Sequence, residues 1–199
     1  MSVIEHYNKF GRIYCERAAS IDLKDTYDRF LKYFKKGSTI LDAGCGPGRD
    51  TKSFLERGFI AQAIDGSEEV VKLAAEYLQK AVACVTFEEM EFNECFDGIW
   101  ANASLLHFTT DELKAVFPNF ISGLKPNGYW FMSFRYGKGV AKKGDIRCYL
   151  QTEDSLKDFL EQFPQLHLEE MWVVVGVNAR YEPTKWINCI VKKQVLLIH

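Results

Sequence analysis

The amino-acid sequence predicts an α/β fold: a doubly wound, mostly parallel sheet of seven strands with one antiparallel strand and helices on both faces. Three observations lead to it. From Thr39 onward, strand-like apolar runs alternate with stretches of helical apolar spacing. The first of these runs enters a glycine-rich loop that opens a helix. The last two strand-like runs, Leu168 to Val177 and Trp186 to Val191, follow one another with no helical pattern between them, which predicts an antiparallel pair.

In order, a polar, aromatic N-terminal segment with Tyr7, Phe10 and Tyr14 precedes Leu23 to Phe34, where Leu23, Tyr27, Phe30, Leu31 and Phe34 fall at helical spacing. Lys35, Lys36 and Gly37 supply stop signals. Thr39 to Ala43 is a strand. Asp50 to Arg57 is a helix closed by Gly58, and Phe59 to Ile64 is the second strand. Ser67 caps the next helix, whose Val70, Val71, Leu73, Ala74 and Leu78 form a stripe, and Glu68 and Glu69 suit its positive end. Val82 to Phe87 and Phe96 to Ala103 are further strands. Thr109-x-x-Glu112 is a capping box for a helix reaching toward Leu124, with a kink expected at Pro118 and a closing turn at Lys125 to Gly128. Tyr129 to Phe134 is an aromatic strand in which Trp130, Phe131 and Phe134 read as core, and Thr152 to Phe163 is a capped helix.

A chain of 199 residues holds one domain, expected to span 1–199. Twenty-five Lys and Arg against 27 Asp and Glu leave no basic excess, which disfavours a nucleic-acid partner. The 6 cysteines are dispersed singly with no C-x-x-C pair, so neither a metal site nor a disulfide framework is expected and a reducing compartment fits. The N-terminus lacks the pattern of a signal peptide and no run approaches the roughly 18 apolar residues of a membrane span, so a cytoplasmic location is expected. Oligomeric state is left open.

The most informative stretch is TILDAGCGPGRD, Thr39 to Asp50. Its glycines remove Cβ atoms and permit positive φ, so a ligand can approach the backbone closely. A dinucleotide fingerprint would need a third glycine or small residue where Arg49 stands, and Asp42 would repel a pyrophosphate. A cationic ligand end suits Asp42 better. Asp65 closes the second strand, where this architecture places an acid on ribose hydroxyls. A nucleoside with an ammonium group matches both acids, and S-adenosylmethionine is the common cofactor of that description.

TILDAGCGPGRD, AIDGSEEVVKLA, FDGIWANASLLHF and GLKPNGYWFMSF resemble, in order, the motifs of class I S-adenosylmethionine-dependent methyltransferases. GRD, DGIWANASLLH and SFRYGKG are similar to a bacterial subgroup related to tellurite-resistance methyltransferases. The resemblance implies a Rossmann-like methyltransferase fold, with an N-terminal helical cap over 1–37, a cofactor-binding core over 38–135, and a substrate-side loop, last helix and closing hairpin over 136–199. It also implies roles. Gly44, Gly46 and Gly48 would cradle the methionine part and Asp42 would lie near its ammonium group. Asp65 would bind the ribose, with Gly66 and Ser67 beside the adenosine. Where the family often has an adenine-binding acid this chain has Thr86, so Phe87 and Glu88 are the adenine candidates. Asn102 would lie near the sulfonium, and Tyr14 would cover the cofactor.

On the substrate side, His107, Arg135, Tyr136, Arg147 and Tyr149 follow the fourth and fifth strands or precede the last helix and are the candidates; surface solvation is the equal alternative for the last four. His107 is the general-base candidate, since an unperturbed imidazole titrates at about 6.5. Cys45 is assigned no chemistry. The run from Gly137 to Asp145 reads as a lid or as a solvated loop, and the tail from Val195 to His199 as packing locally or on another chain. The Asn/Asp-Pro-Pro-Tyr tetrapeptide of amino-methyltransferases is absent, Ala101 to Ser104 standing in its place, which favours a small-molecule acceptor. Two other classes stay open: a non-catalytic S-adenosylmethionine-binding protein, and a nicotinamide-dependent reductase, which Arg49 and Asp42 disfavour.

Overall fold

The computed structural model describes residues 1–143 and 146–195. Two helices come first, α1 (Val3–Ala18) and α2 (Lys24–Leu31). The sheet strands are β1 (Thr39–Ala43), β2 (Ile60–Asp65), β3 (Ala83–Cys84), β4 (Phe96–Ala101), β5 (Leu124–Arg135), β8 (Leu166–Val177) and β9 (Pro183–Lys193). They lie in the order β3-β2-β1-β4-β5-β9-β8. The pairs among β1 to β5 are parallel, while β9 runs antiparallel to both β5 and β8. This is the seven-stranded arrangement with one antiparallel strand that the alternation of elements predicts. Helices α3 (Arg49–Glu56), α4 (Glu68–Leu78), α5 (Thr110–Gly123) and α6 (Glu153–Leu160) are the crossovers. Because β1, β2, β4 and β5 run parallel, their carboxyl ends share one edge of the sheet, the side where ligands bind in this architecture.

The parallel strands are covered on both faces, and each face has its own aromatic core. On one, Phe30 and Tyr27 of α2 meet Phe54 of α3 over Trp100, whose ring stacks on Phe131 at 4.0 Å. On the other, Phe117 and Phe120 of α5 pack on Trp130, with the Phe120 ring stacked at 4.5 Å. Alternation along β5 sends Phe131 to the first face and Trp130, Met132 and Phe134 to the second, as a two-residue period requires.

Three expectations are corrected, for the third strand, for residues 125–128 and for the run after Gly137. The third strand is only Ala83–Cys84, because Thr86 turns back to bond Glu89 through its backbone and hydroxyl. Residues 125–128 do not close α5 as a turn: α5 runs through Pro118 to Gly123 and passes directly into β5, which is irregular against β4 between Phe96 and Gly98. The N-terminal segment, expected as part of a helical cap, is a helix started by a capping box in which Ser2 and Glu5 bond each other's backbone N–H, a Ser-x-x-Glu signal visible in the sequence. The run after Gly137 is an antiparallel hairpin, β6 (Val140–Lys143) with β7 (Ile146–Tyr149), rather than an irregular loop. The end of that run and the tail beyond Val195 lie outside the described residues.

Phe30 is fully buried against Phe34, Phe54, Trp100 and Phe131. Phe30→Ala is expected to cost about 3–5 kcal/mol through lost transfer energy and the cavity left among these rings. Urea unfolding followed by tryptophan fluorescence reads this, and a loss under about 1 kcal/mol would show that α2 is not part of the folded core.

Candidate active site

At the carboxyl edge, Gly44 and Gly46 adopt φ of +77° and +54°. A Cβ on Gly44 would lie 2.4 Å from that of Ser104, and one on Gly46 would lie 3.3 Å from the Tyr14 ring. The loop therefore passes between the β4 edge and α1 with room only for glycine. Its amides are largely committed: Gly44 and Cys45 donate to the Ile64 carbonyl at 2.9 and 3.0 Å, Gly46 to Asp65 at 3.1 Å, and Gly48 to Cys45 at 3.0 Å. The surface it offers is bare Cα and carbonyl rather than free N–H. Gly48 faces neither cavity described below. It precedes α3 at φ +80°, where a Cβ would meet Leu78 at 2.9 Å.

Asp42 is 1% exposed, and its carboxylate accepts from the Thr51 amide at 2.9 Å and hydroxyl at 2.5 Å. It caps the first turn of α3 and lines neither cavity, so it meets a bound ligand only through an intervening group such as water. A neighbouring acid that the sequence reading passed over lines the larger cavity instead. Asp50, 5% exposed, accepts from Tyr27 Oη at 2.6 Å, Arg49 Nε at 2.5 Å, Trp100 Nε1 at 2.7 Å and Asn102 Nδ2 at 3.2 Å. Arg49 in turn donates to the Ala18 carbonyl at 2.8 Å. Burial pushes the Asp50 carboxyl up, but the Arg49 guanidinium and the neutral donors outweigh it and hold it below the ordinary range. Burial, with the Asp50 charge beside it, pushes Asp42 up to about 8, so of the two acids Asp42 takes the proton. Asn102 is held at both ends of its amide, donating to Asp50 and accepting from Ser133 Oγ at 2.9 Å.

Two cavities flank this edge. The smaller, about 310 Å³, is lined by Asp65, Gly66, Ser67, Thr86, Phe87 and Glu88. Asp65 accepts from the amides of Gly46 and Ser67, and burial raises its carboxyl against those bonds. The larger, about 870 Å³, runs from Asn102 and Asp50 to β8 and β9. Tyr7, Tyr14, Gly44, Ala103 and His107 line both, so the cavities meet there. The residues fit S-adenosylmethionine. The glycine cradle that a Cβ would fill, the half-buried acid at the end of β2 and the Phe87 ring beside it match a nucleoside, and the second cavity leaves room for an acceptor.

At the junction, Tyr7 Oη lies 3.2 Å from His107 Nε2, and His107 Nδ1 lies 2.8 Å from the Arg147 carbonyl. A carbonyl only accepts, so Nδ1 carries the proton and Nε2 accepts from the phenol. Burial lowers the His107 pKa, only partly countered by the Arg147 carbonyl, and burial raises that of Tyr7 well above 10, so both are uncharged at neutral pH. Tyr7 was not among the sequence candidates, although the aromatic spacing Tyr7, Phe10, Tyr14 marked one side of a helix. Arg135 lines the larger cavity, whereas Tyr136, Arg147 and Tyr149 line neither, in keeping with the solvated alternative for these three. Strand alternation explains the last two: Ile146 and Cys148 of β7 face the cavity, and Arg147 and Tyr149 point away. Tyr136 is drawn to Glu153 and carries Lys185 over its ring at 4.3 Å.

Because Asp42 titrates at about 8 in the fold and at 3.8 ordinarily, the folded state holds the extra proton between these values and stability falls as pH rises through that window. Urea unfolding of wild type and Asp42→Asn at pH 5 and pH 8.5 is expected to show this decline in the wild type and a smaller one in the variant. Equal declines would mean that Asp42 is already ionised at pH 5.

Residues 40–128 match the model of a methyltransferase domain. A curated malonyl-[acyl-carrier protein] O-methyltransferase of Acetivibrio thermocellus is 32% identical over 94 residues, 45% of this chain and 32% of the relative, so the matched part is about a third of that relative's length. The structure of an S-adenosylmethionine-dependent methyltransferase from Methanosarcina mazei superposes with a TM-score of 0.77 at 16% identity, over 85% of this chain and 99% of the other. The 1,6-didemethyltoxoflavin-N1-methyltransferase of Burkholderia thailandensis, solved with 1,6-didemethyltoxoflavin and S-adenosylhomocysteine bound, superposes with a TM-score of 0.76 at 21% identity, over 96% of this chain and 85% of the other. These two likenesses are of fold. With the domain model matched over residues 40–128, they show that this chain has the fold of S-adenosylmethionine-dependent methyltransferases.

Proposed function

We propose that the protein methylates a small-molecule acceptor, and that the acceptor meets the cofactor where the two cavities join at Tyr7, Gly44, Ala103 and His107. The single observation that carries this is the junction itself: a cavity of about 310 Å³ with the half-buried Asp65 opens into a larger one beside an uncharged tyrosine–histidine pair. In this reading S-adenosylmethionine, when bound, supplies the electrophilic methyl group. Asp65 would hold the ribose hydroxyls, with Gly66 and Ser67 beside the adenosine and Phe87 packed on the adenine. Thr86 and Glu88 would take the place of the family's adenine acid. Gly44 and Gly46 would let the methionine part lie against backbone, and Tyr14 would close over it. Asn102, fixed by Asp50 and Ser133, would orient the reacting end.

For an acceptor that must lose a proton, His107 Nε2 is the receiving atom, directly or through the Tyr7 hydroxyl, because Nδ1 is committed to Arg147. The chain's remaining task is alignment and exclusion of water, which α1 performs by lying across the edge. Asn8 of α1 accepts from Ser67 Oγ at 2.7 Å, and Tyr181 donates to the Arg17 carbonyl at 3.0 Å, so α1 is tied down on both sides of the junction. The malonyl-carrier and toxoflavin-precursor acceptors of the similar proteins differ, and neither is carried over. The resemblance to tellurite-resistance methyltransferases belongs to this proposal, as does a cytoplasmic location, which suits 6 free cysteines. Among the described residues no helix is long and apolar enough to cross a membrane.

Titration calorimetry with S-adenosylmethionine and S-adenosylhomocysteine tests the reading. Both are expected to bind the wild type, and Asp65→Ala is expected to weaken them by about tenfold or more, about 1.4 kcal/mol. Absence of binding by folded wild type overturns the proposal.

A further inference from the structure

The acceptor cavity carries a charge arrangement that methyl transfer as such does not require, and the inference drawn from it rests on the methyltransferase reading. Ser133 and Arg135, two residues apart on β5, share a face, and Ser133 is anchored there by Asn102 and the Ala103 amide. Across the sheet Asn188 stands opposite Ser133, Trp186 opposite Arg135, and Val174 opposite Trp186. All five line the larger cavity. Its floor is thus a guanidinium, an indole and an isopropyl group in one row, beside a hydroxyl and an amide in the next.

Arg135 differs from the paired arginines. Arg12, Arg29, Arg49 and Arg57 each have a carboxylate partner, in Glu69, Glu170, Asp50 and Asp28. Among the described residues, half-buried Arg135 has neither an ion-pair nor a side-chain hydrogen-bond partner. Arg17 of α1 and Arg180 of the β8–β9 turn line the same cavity. Of the acids there, Asp50 is saturated by its four donors and paired with Arg49, while Asp22 and Asp25 belong to the α1–α2 side. A guanidinium stays charged, offers a planar fork of donors and binds carboxylate or phosphate bidentately, more strongly where water is partly excluded. Leu106, Phe10, Val174 and Trp186 supply the apolar walls that an organic body needs.

We propose that the methyl acceptor is an organic anion, an apolar or aromatic body bearing a carboxylate or phosphate that Arg135 receives on the sheet floor. Titration calorimetry on protein saturated with S-adenosylhomocysteine, using 2-naphthoate, 2-naphthyl phosphate and neutral 2-naphthamide, tests it. At least one anion is expected to bind about tenfold or more tightly than the amide, and Arg135→Met, which keeps the apolar stem, is expected to remove that preference. Preference for the carboxylate alone identifies a carboxylic acid, and preference for the phosphate alone a phosphate ester. No preference for either anion, or a preference that survives in Arg135→Met, overturns the proposal. S-adenosylhomocysteine binding, measured first on each protein, separates this outcome from failure of the methyltransferase reading and shows that the variant is folded.

Discussion

The buried Arg49–Asp50 pair is the constraint around which the site is organised. Through Asp50 it joins Tyr27 of α2, Trp100 at the end of β4 and Asn102 beyond it, and through Arg49 it reaches the last carbonyl of α1 at Ala18. Desolvating two charges costs several kcal/mol, and such a pair persists only where further hydrogen bonds satisfy it. Here the carboxylate receives four donors, which is the capacity of its lone pairs. Burial, reinforced by the Asp50 charge, puts the proton on Asp42, which lies in the same buried region. One acid is thereby spent on capping α3 and the other on positioning the cavity wall.

From this hub the chemistry divides along the carboxyl edge. Toward β2 and β3 the site offers a nucleoside a bare glycine loop, a half-buried acid and an aromatic ring. Toward β8 and β9 it offers an acceptor a floor of Ser133, Arg135 and Trp186. The junction between them is held electrically quiet, with a phenol and an imidazole both uncharged and one nitrogen of that imidazole pinned by a backbone carbonyl. A neutral proton acceptor beside a cationic floor is compatible with an anionic acceptor, since the Asp50 charge is paired with Arg49 and held by three neutral donors.

Local signals in the sequence were read well. The alternation of runs, the Thr109–Glu112 box, the Ser67 cap and the isolated last strand pair all reflect interactions within a few residues, and the order of glycine loop, Asp65 and Asn102 follows from parallel connectivity. Differences arise where a local signal meets a tertiary partner. The position of Asp42 before the glycines is local, whereas its partner Thr51 is reached only when α3 folds back. Lys125 to Gly128 looked like a terminator because Pro-Asn-Gly is turn chemistry, and it became an irregularity of β5 instead. The stretch after Gly137 looked irregular because its glycines and lysines hide a two-residue alternation that pairing with Ile146–Tyr149 makes plain.

The sequence by itself determined the fold class and the position of the glycine loop and Asp65 at the carboxyl edge, because hydrophobic period, capping residues and glycine spacing act over short separations. Only the tertiary structure decided which acid is charged, which nitrogen of His107 is free to accept a proton, and that Arg135 lies on the floor of the larger cavity. Each of these depends on partners from distant parts of the chain: Asp50 on Tyr27 and Trp100, His107 on Tyr7 and Arg147, and Arg135 on the strands that stand across from it. Burial and electrostatics are properties of the assembled neighbourhood, and residue spacing along the chain does not encode them.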